Sequence, residues 1–144
     1  MHRLVFTALL VASTVTAQIY EGCPGFARPT WTGQANLGQT ITFDLLGRPA
    51  PRSFTFLALG FCARSAIPFS PPFTCHAGPC NLYIAPAFGG DYLTVADPFH
   101  AVMVVPIPND RALRFSTWCV QGGFFSGIGN CIDFSAVLLF TIQP

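Results

Sequence analysis

The sequence predicts an all-β protein, a single antiparallel β-sandwich of about eight strands stapled by disulfides. Short runs rich in β-branched and aromatic residues recur along the chain, and clusters of Pro, Gly, Asn and Asp separate them. No stretch shows the helical period that the crossover helices of a parallel sheet would require. A small β-barrel stays open as an alternative, because periodicity does not distinguish a barrel from a sandwich.

The first 17 residues, MHRLVFTALLVASTVTA, are typical of a signal peptide. His2 and Arg3 precede a short apolar stretch, and small residues lead up to Ala17, after which we expect cleavage. One β-sandwich domain would then occupy residues 18–144, which is 144 − 17 = 127 residues and enough for a core. No later segment reaches the roughly 18 uninterrupted apolar residues of a membrane span. We therefore expect a secreted or cell-surface protein with no transmembrane segment after cleavage.

Eight segments have the composition of strands, and two of them are especially informative. In QTITFDLLG (39–47) apolar and polar residues alternate, which puts Ile41, Phe43 and Leu45 on one face and predicts a half-buried strand. The segment SFTFLALGFC (53–62) is apolar on both faces and favours a central strand. The other candidates are the weak PTWTGQ (29–34), CNLYIAP (80–86), DYLTVAD (91–97), FHAVMVVPI (99–107), RFSTWCVQ (114–121) and FSAVLLFTI (134–142).

The segment VVPIPNDRALRF (104–115) combines prolines and charges between two apolar runs. Its prolines withhold backbone donors, so the preceding strand should end there. Asn109 is suited to cap a single helical turn, with Asp110 at the positive end of that turn. Arg111 and Arg114 would point outward, and the next strand would begin at Arg114 or the residue after it. Turn chemistry explains this segment better than an active site does.

All six cysteines follow residue 17, and an even number outside the cytoplasm predicts disulfides. Six cysteines allow about fifteen pairings. We expect Cys62–Cys75 and Cys119–Cys131, because each of these pairs brackets a short loop, and this choice leaves Cys23 for Cys80.

The charge composition argues against several classes of partner. The chain has no Lys, seven Arg and six acidic residues, and loss of Arg3 with the signal peptide would leave six against six. Such a balance provides neither a nucleic-acid footprint nor a basic membrane patch. An apolar fraction of 51% with 15 Phe is the reverse of a disordered composition and predicts an unusually apolar or covered surface.

The sequence offers no catalytic, cofactor-binding or metal-binding set. His76 and His100 are the histidines beyond the signal peptide, and no G-x-S-x-G elbow accompanies them. Glu21 is the one glutamate, so a pair of carboxylates for glycoside hydrolysis would have to come from the aspartates. The segment CHAGPC (75–80) matches no zinc knuckle, and its thiols should be oxidised. A small secreted hydrolase built on an Asp pair or on His100 stays as a further hypothesis.

The glycine-rich segment CVQGGFFSGIGNC (119–131) is a candidate binding loop. A disulfide across its base would hold the tip, and Phe124 and Phe125 would point to opposite sides if the segment is extended. One ring would then face solvent or a partner as an anchor. In the alternative, the loop folds back and both rings cap the end of the sandwich. Trp118, just before the loop, is a third candidate ligand contact.

Four segments resemble a group of secreted β-sandwich modules from planctomycete-type bacteria. They are YEGCPG (20–25), LGQTITFDLLGRPAPRSFTFLALGF (37–61), CNLYIAPAF (80–88) and VPIPNDRAL (105–113), in the order found in that group. The resemblance implies a cell-surface or extracellular structural unit with no assigned catalytic residues, and it supports the pairing of Cys23 with Cys80. The segment 120–136 departs from the family's turn motifs, and Cys119 and Cys131 look like additions.

Together these observations predict a non-enzymatic exported module with a structural or adhesive role at the cell surface or in the extracellular matrix. Its partner would be a cell-envelope protein or a glycan. A carbohydrate- or peptide-binding module is the alternative, with Phe124, Phe125 or Trp118 as stacking platforms.

Overall fold

The computed structural model describes residues 18–24, 26–47, 53–75, 77–84, 93–96 and 100–144. The predicted signal peptide and its cleavage site lie outside these residues, as do His76, Asp91 and Asp97. Nine strands are present in the described residues: β1 (Gln18–Tyr20), β2 (Thr30–Gly33), β3 (Thr40–Leu46), β4 (Ser53–Phe69), β5 (Cys80–Ile84), β6 (Leu93–Ala96), β7 (His100–Pro106), β8 (Thr117–Ser126) and β9 (Cys131–Thr141).

These strands form two antiparallel sheets that do not close into a barrel, which confirms the predicted fold class. The smaller sheet has the order β2-β3-β7, and the larger has the order β1-β9-β8-β4, with β5 paired to the last part of β4 beyond its pairing with β8. Strand β4 pairs with β8 along its first half, while β6 and then β5 pair with it along successive parts of its length. The prediction of a central strand at 53–62 is therefore confirmed, and the strand runs seven residues further, to Phe69.

The main core lies between the two sheets. The alternating strand β3 contributes Ile41, Phe43 and Leu45, all fully buried, as its pattern predicts. Strand β7 adds Met103 and Val105 from the same sheet. The larger sheet supplies the opposite side of this core through Leu57, Leu59, Val120, Leu138 and Phe140.

Strand β5 covers the other face of the larger sheet. Val120 faces the main core, so its neighbour Gln121 points to the opposite face. There the Gln121 side chain accepts a hydrogen bond from the backbone N–H of Tyr83 at 2.8 Å and donates one to the carbonyl of Asn81 at 2.8 Å. Because β8 already has β4 and β9 beside it, the β5 backbone must lie above the sheet. The fold thus has a partial third layer that the sequence pattern does not reveal.

The segment predicted as a glycine-rich loop is mostly strand. Strand β8 runs through Gly122 and Gly123 to Ser126, and a short turn then leads to β9 at Cys131. A Cβ atom added to Gly122 would overlap with Leu45 Cδ2 and with the Phe56 carbonyl oxygen. Glycine is needed here because a neighbouring side chain and backbone approach closely. The prediction of a pinned loop is wrong, because strand β8 occupies most of the segment.

The disulfides connect Cys23 with Cys80, Cys62 with Cys119 and Cys75 with Cys131. The predicted Cys23–Cys80 pair is confirmed, and the predicted short-loop pairs Cys62–Cys75 and Cys119–Cys131 are wrong. Strand register decides the actual pairing. Cys119 pairs in register with Gly60, two residues before Cys62, and the bridge between Thr74 and Ile132 brings Cys75 to Cys131.

The connector after β7 forms a single 3₁₀ turn at Arg111–Leu113. Asp110 caps it, since its carboxylate accepts a hydrogen bond from the Ala112 N–H at 2.9 Å. The prediction of a helical turn is confirmed, but Asn109 is not the cap. Strand β8 begins at Thr117 and not at residue 114 or 115. The residues between are held by turn bonds, including one from the Ser116 N–H to the carbonyl of Leu113.

Candidate functional site

An apolar pocket of about 210 Å³ opens at one end of the sandwich, where the connector joins the two sheets. Every residue that lines it is apolar: Leu59, Val105, Pro106, Ile107, Pro108, Leu113, Trp118, Phe140 and Ile142. A cavity of about 150 Å³ lined by apolar side chains can hold a benzene molecule. The pocket at this end, called the Trp118 pocket below, can therefore accept one large apolar side chain.

The proline-rich connector builds one wall of the Trp118 pocket. Strand β7 ends at Pro106, and the next residue is held by a hydrogen bond from its N–H to the carbonyl of Gln39 at 2.8 Å. The carbonyl of Ile107 in turn accepts from the N–H of Gly38 at 3.0 Å. These bonds fix the chain between the two prolines. The 3₁₀ turn then brings Leu113 into the lining.

Trp118 has a fixed orientation at this pocket. It pairs in register with Phe61 of β4, and the two rings stack with centroids 4.6 Å apart at an interplanar angle of 24°. Its Nε1–H donates to Ser116 Oγ at 2.9 Å, and that hydroxyl donates to the carbonyl of Leu113 at 2.6 Å. Phe61 is 42% exposed, so the stacked pair presents an aromatic surface to solvent. That Trp118 contacts a ligand stays a prediction, and the structure shows that its side chain lines a pocket.

Phe115 lies between two lining residues in sequence and has an unusual backbone conformation. Its φ is 60°, and its side chain is 67% exposed. Residues other than Gly rarely occupy this region, and those that do cluster at functional sites. A hydrogen bond from the Phe115 N–H to the carbonyl of Ile142, at 2.8 Å, holds it there.

Phe124 and Phe125 lie in the last part of strand β8, before the turn that leads to β9. They point to opposite sides, as expected for consecutive strand residues. Phe124 is 6% exposed and packs with Cys23, Cys80 and other buried residues. Phe125 is half-buried, and its ring stacks on Phe54 at 5.0 Å. Both rings are therefore used within the fold.

The polar candidates occupy separate parts of the described structure. His100 Nε2 lies 2.8 Å from Asp44 Oδ2 on the outer face of the smaller sheet, and both side chains are about two-fifths exposed. Asp110 caps the 3₁₀ turn. Asp133 is buried in β9, with its Oδ1 3.8 Å from Cys23 Sγ. Apart from the His100–Asp44 pair, these groups do not converge into one polar site.

One group of metal-ligand type occurs in the described residues, formed by Cys23, Cys80 and Asp133 with ligand atoms within 4.8 Å of one another. The two sulfur atoms are joined in a disulfide and so provide no thiolate. The same holds for the CHAGPC segment, since Cys75 and Cys80 are bonded to different partners.

A second pocket, of about 260 Å³, lies beside the Cys62–Cys119 disulfide and is lined by polar and apolar groups. Tyr20 and Tyr83 border it with ring centroids 5.8 Å apart, and Ser65 adds a hydroxyl.

Sequence reasoning identified Trp118 but missed the pocket. Turn chemistry accounts for most of the connector, but Ile107 and Leu113 are large apolar residues among its prolines and charged residues. Those two residues were the available signal, because apolar side chains in a turn need a surface to pack against.

No family model, curated protein or solved structure matches the chain. The resemblance to secreted modules of planctomycete-type bacteria therefore stays a prediction. The described residues include no helix with the length and apolar character needed to cross a membrane.

Proposed function

We propose that this protein is a non-enzymatic exported module with a structural or adhesive role at the cell surface or in the extracellular matrix, and that it binds its partner at the Trp118 pocket. The observation that carries the proposal is a pocket lined by apolar residues beside a solvent-facing aromatic stack. Three disulfides are compatible with an oxidising location outside the cytoplasm. The resemblance to secreted planctomycete-type modules is part of the same proposal.

The chemistry of the pocket favours a protein partner over a glycan. Sugar recognition needs polar groups that bond the hydroxyls as well as an aromatic platform, and the lining provides no polar side chain. An apolar side chain of a cell-envelope protein fits the lining better. Trp is also among the residues that most often dominate the binding energy of protein interfaces.

Binding to cell-envelope fractions tests this proposal. We expect the purified domain to be retained by the fractions and Trp118→Ala to weaken retention about thirtyfold, because a Trp that a partner covers at an interface is often worth roughly 2 kcal/mol or more. Phe125→Ala is the matched control, since it also removes one ring of a stacked pair in β8. Equal retention of the wild type and the Trp118 variant would contradict the assigned site, and failure of the wild type to bind would contradict the adhesive role.

The second pocket favours the glycan-binding alternative. Two tyrosine rings and a serine hydroxyl offer both stacking and hydrogen bonding. On a glycan array this alternative predicts binding that Tyr20→Ala removes and Trp118→Ala leaves intact. A lack of binding to any glycan would rule it out.

A further inference from the structure

The 3₁₀ turn that supplies Leu113 to the Trp118 pocket also carries two exposed arginines. Arg111 opens the turn and Arg114 follows it, and the Arg114 N–H donates to the carbonyl of Arg111 at 3.2 Å. Both side chains are exposed. In sequence they lie on either side of Leu113, which contacts the pocket. The apolar pocket therefore has a basic turn in one of its walls.

Within the described part of the chain, the ion pairs do not involve this turn. Arg28 pairs with Glu21 at 3.7 Å, and His100 pairs with Asp44. The carboxylate of Asp110 is directed to the N–H of Ala112 as a helix cap. The formal charges of residues 110–114, two positive and one negative, leave a net +1 beside a pocket that apolar residues line.

Resting on the proposed function, we infer that the partner segment is an acidic peptide in which one large apolar side chain, such as Leu or Phe, is flanked by Asp or Glu. The apolar side chain enters the Trp118 pocket and stacks near Trp118. The flanking carboxylates face Arg111 and Arg114, whose guanidinium groups can bind carboxylates in a bidentate manner. The positive charge of the two arginines selects acidic residues on either side of the apolar side chain, and the Trp118 pocket selects the apolar side chain itself.

The size of the pocket favours a peptide over a lipid. A volume of about 210 Å³ is close to that of cavities that hold a single aromatic ring. It accommodates one side chain and is too small for a long acyl chain. A fatty acid would satisfy the charge but would leave most of its chain outside.

Binding of synthetic hexapeptides tests this inference. The probes are an acidic peptide with a central Leu flanked by Asp and Glu, the same peptide with Lys in place of the acids, and the acidic peptide with Gly in place of Leu. Affinities are measured by indole and methyl chemical-shift changes at low and high salt. We expect the acidic Leu peptide to bind at least tenfold more tightly than either of the others, and to weaken as salt rises.

Two arginine variants and a lipid probe complete the test. Arg114→Glu should weaken the acidic peptide about tenfold, whereas Arg28→Glu, which makes the same charge change away from the pocket, should leave affinity within about twofold. Equal binding of acidic and basic peptides, or equal effects of both variants, would overturn the inference. Arginine-dependent binding of decanoate without peptide binding would overturn it as well.

The two proposals can fail separately. If envelope retention depends on Trp118 while peptide charge has no effect, the adhesive function stands and the acidic-peptide inference is wrong. If Trp118→Ala leaves both envelope retention and peptide binding unchanged, the site itself is wrong.

Discussion

Gln121 is a polar residue in the interior whose hydrogen bonds hold two layers together. It is 1% exposed, and its amide oxygen accepts from the Tyr83 N–H. Its amide nitrogen donates to the carbonyl of Asn81 at 2.8 Å and to the carbonyl of Ser135 at 3.0 Å. All three contacts are with backbone groups, so this one side chain fastens strand β5 above β8 and β9.

Replacement of Gln121 should therefore destabilise the fold more than its size suggests. We expect Gln121→Ala to lower the free energy of unfolding by about 3 kcal/mol, because buried backbone groups lose their partners and a cavity opens. Gln121→Met, which keeps most of the volume, should still cost about 2 kcal/mol. Chemical denaturation measures the free energy of unfolding of both variants, and Gln39→Ala, at an exposed position, is the control. Equal denaturation midpoints for Gln121→Met and the wild type would contradict the role assigned to the Gln121 hydrogen bonds.

Aromatic residues show how far single residues could be assigned from sequence. The opposite directions of Phe124 and Phe125 follow from strand alternation and were predictable. That Phe124 enters a buried cluster with Cys23 and Cys80 was not predictable, because that cluster is assembled from distant parts of the chain. The stacking of Trp118 on Phe61 likewise depends on the register of β4 and β8.

At the level of elements, strand pairing determines the covalent framework. Each disulfide spans 56 or 57 residues, and none closes a short loop. The short-loop prediction failed because it compared distances along the chain, whereas cysteines bond across neighbouring strands. The same pairing extends β8 through the glycines that looked like a loop.

Tryptic digestion of the unreduced protein tests this connectivity. The chain has no Lys, so trypsin cleaves after Arg alone. It produces fragment 53–64 with Cys62, fragment 65–111 with Cys75 and Cys80, and fragment 115–144 with Cys119 and Cys131. The structure predicts that fragment 115–144 stays cross-linked to both of the others. Mass spectrometry with free thiols blocked beforehand would detect this. Release of fragment 115–144 as a free peptide with an internal disulfide would instead support the short-loop pairing.

At the level of the whole molecule, the disulfides join parts of the fold that different strands provide. One connects the segment after β1 to β5, one connects β4 to β8, and one connects the segment after β4 to β9. A loop of this length contributes about 4 kcal/mol by restricting the unfolded chain. The summed contribution of three such disulfides is comparable to the entire free energy of unfolding of a typical domain, which is about 5–15 kcal/mol.

Reduction should therefore unfold the protein or bring it close to unfolding at room temperature. We expect the melting temperature to fall by more than about 20 °C in excess reductant, measured by near-ultraviolet circular dichroism with blocked thiols. Removal of one pair, such as Cys75→Ala with Cys131→Ala, should lower it by a smaller amount. A melting temperature that reduction leaves unchanged would mean that the main core is sufficient for stability.

Local patterns in the sequence determined the fold class, most of the strands, the inward-facing residues of β3 and the turn after β7. These features depend on alternation and turn chemistry, which neighbouring residues decide among themselves. The tertiary structure alone decided two of the three disulfides, the layer formed by β5, the burial of Phe124 and the Trp118 pocket. Each of these brings together residues that are distant in the chain, and strand register, which no local pattern encodes, determines which of them meet.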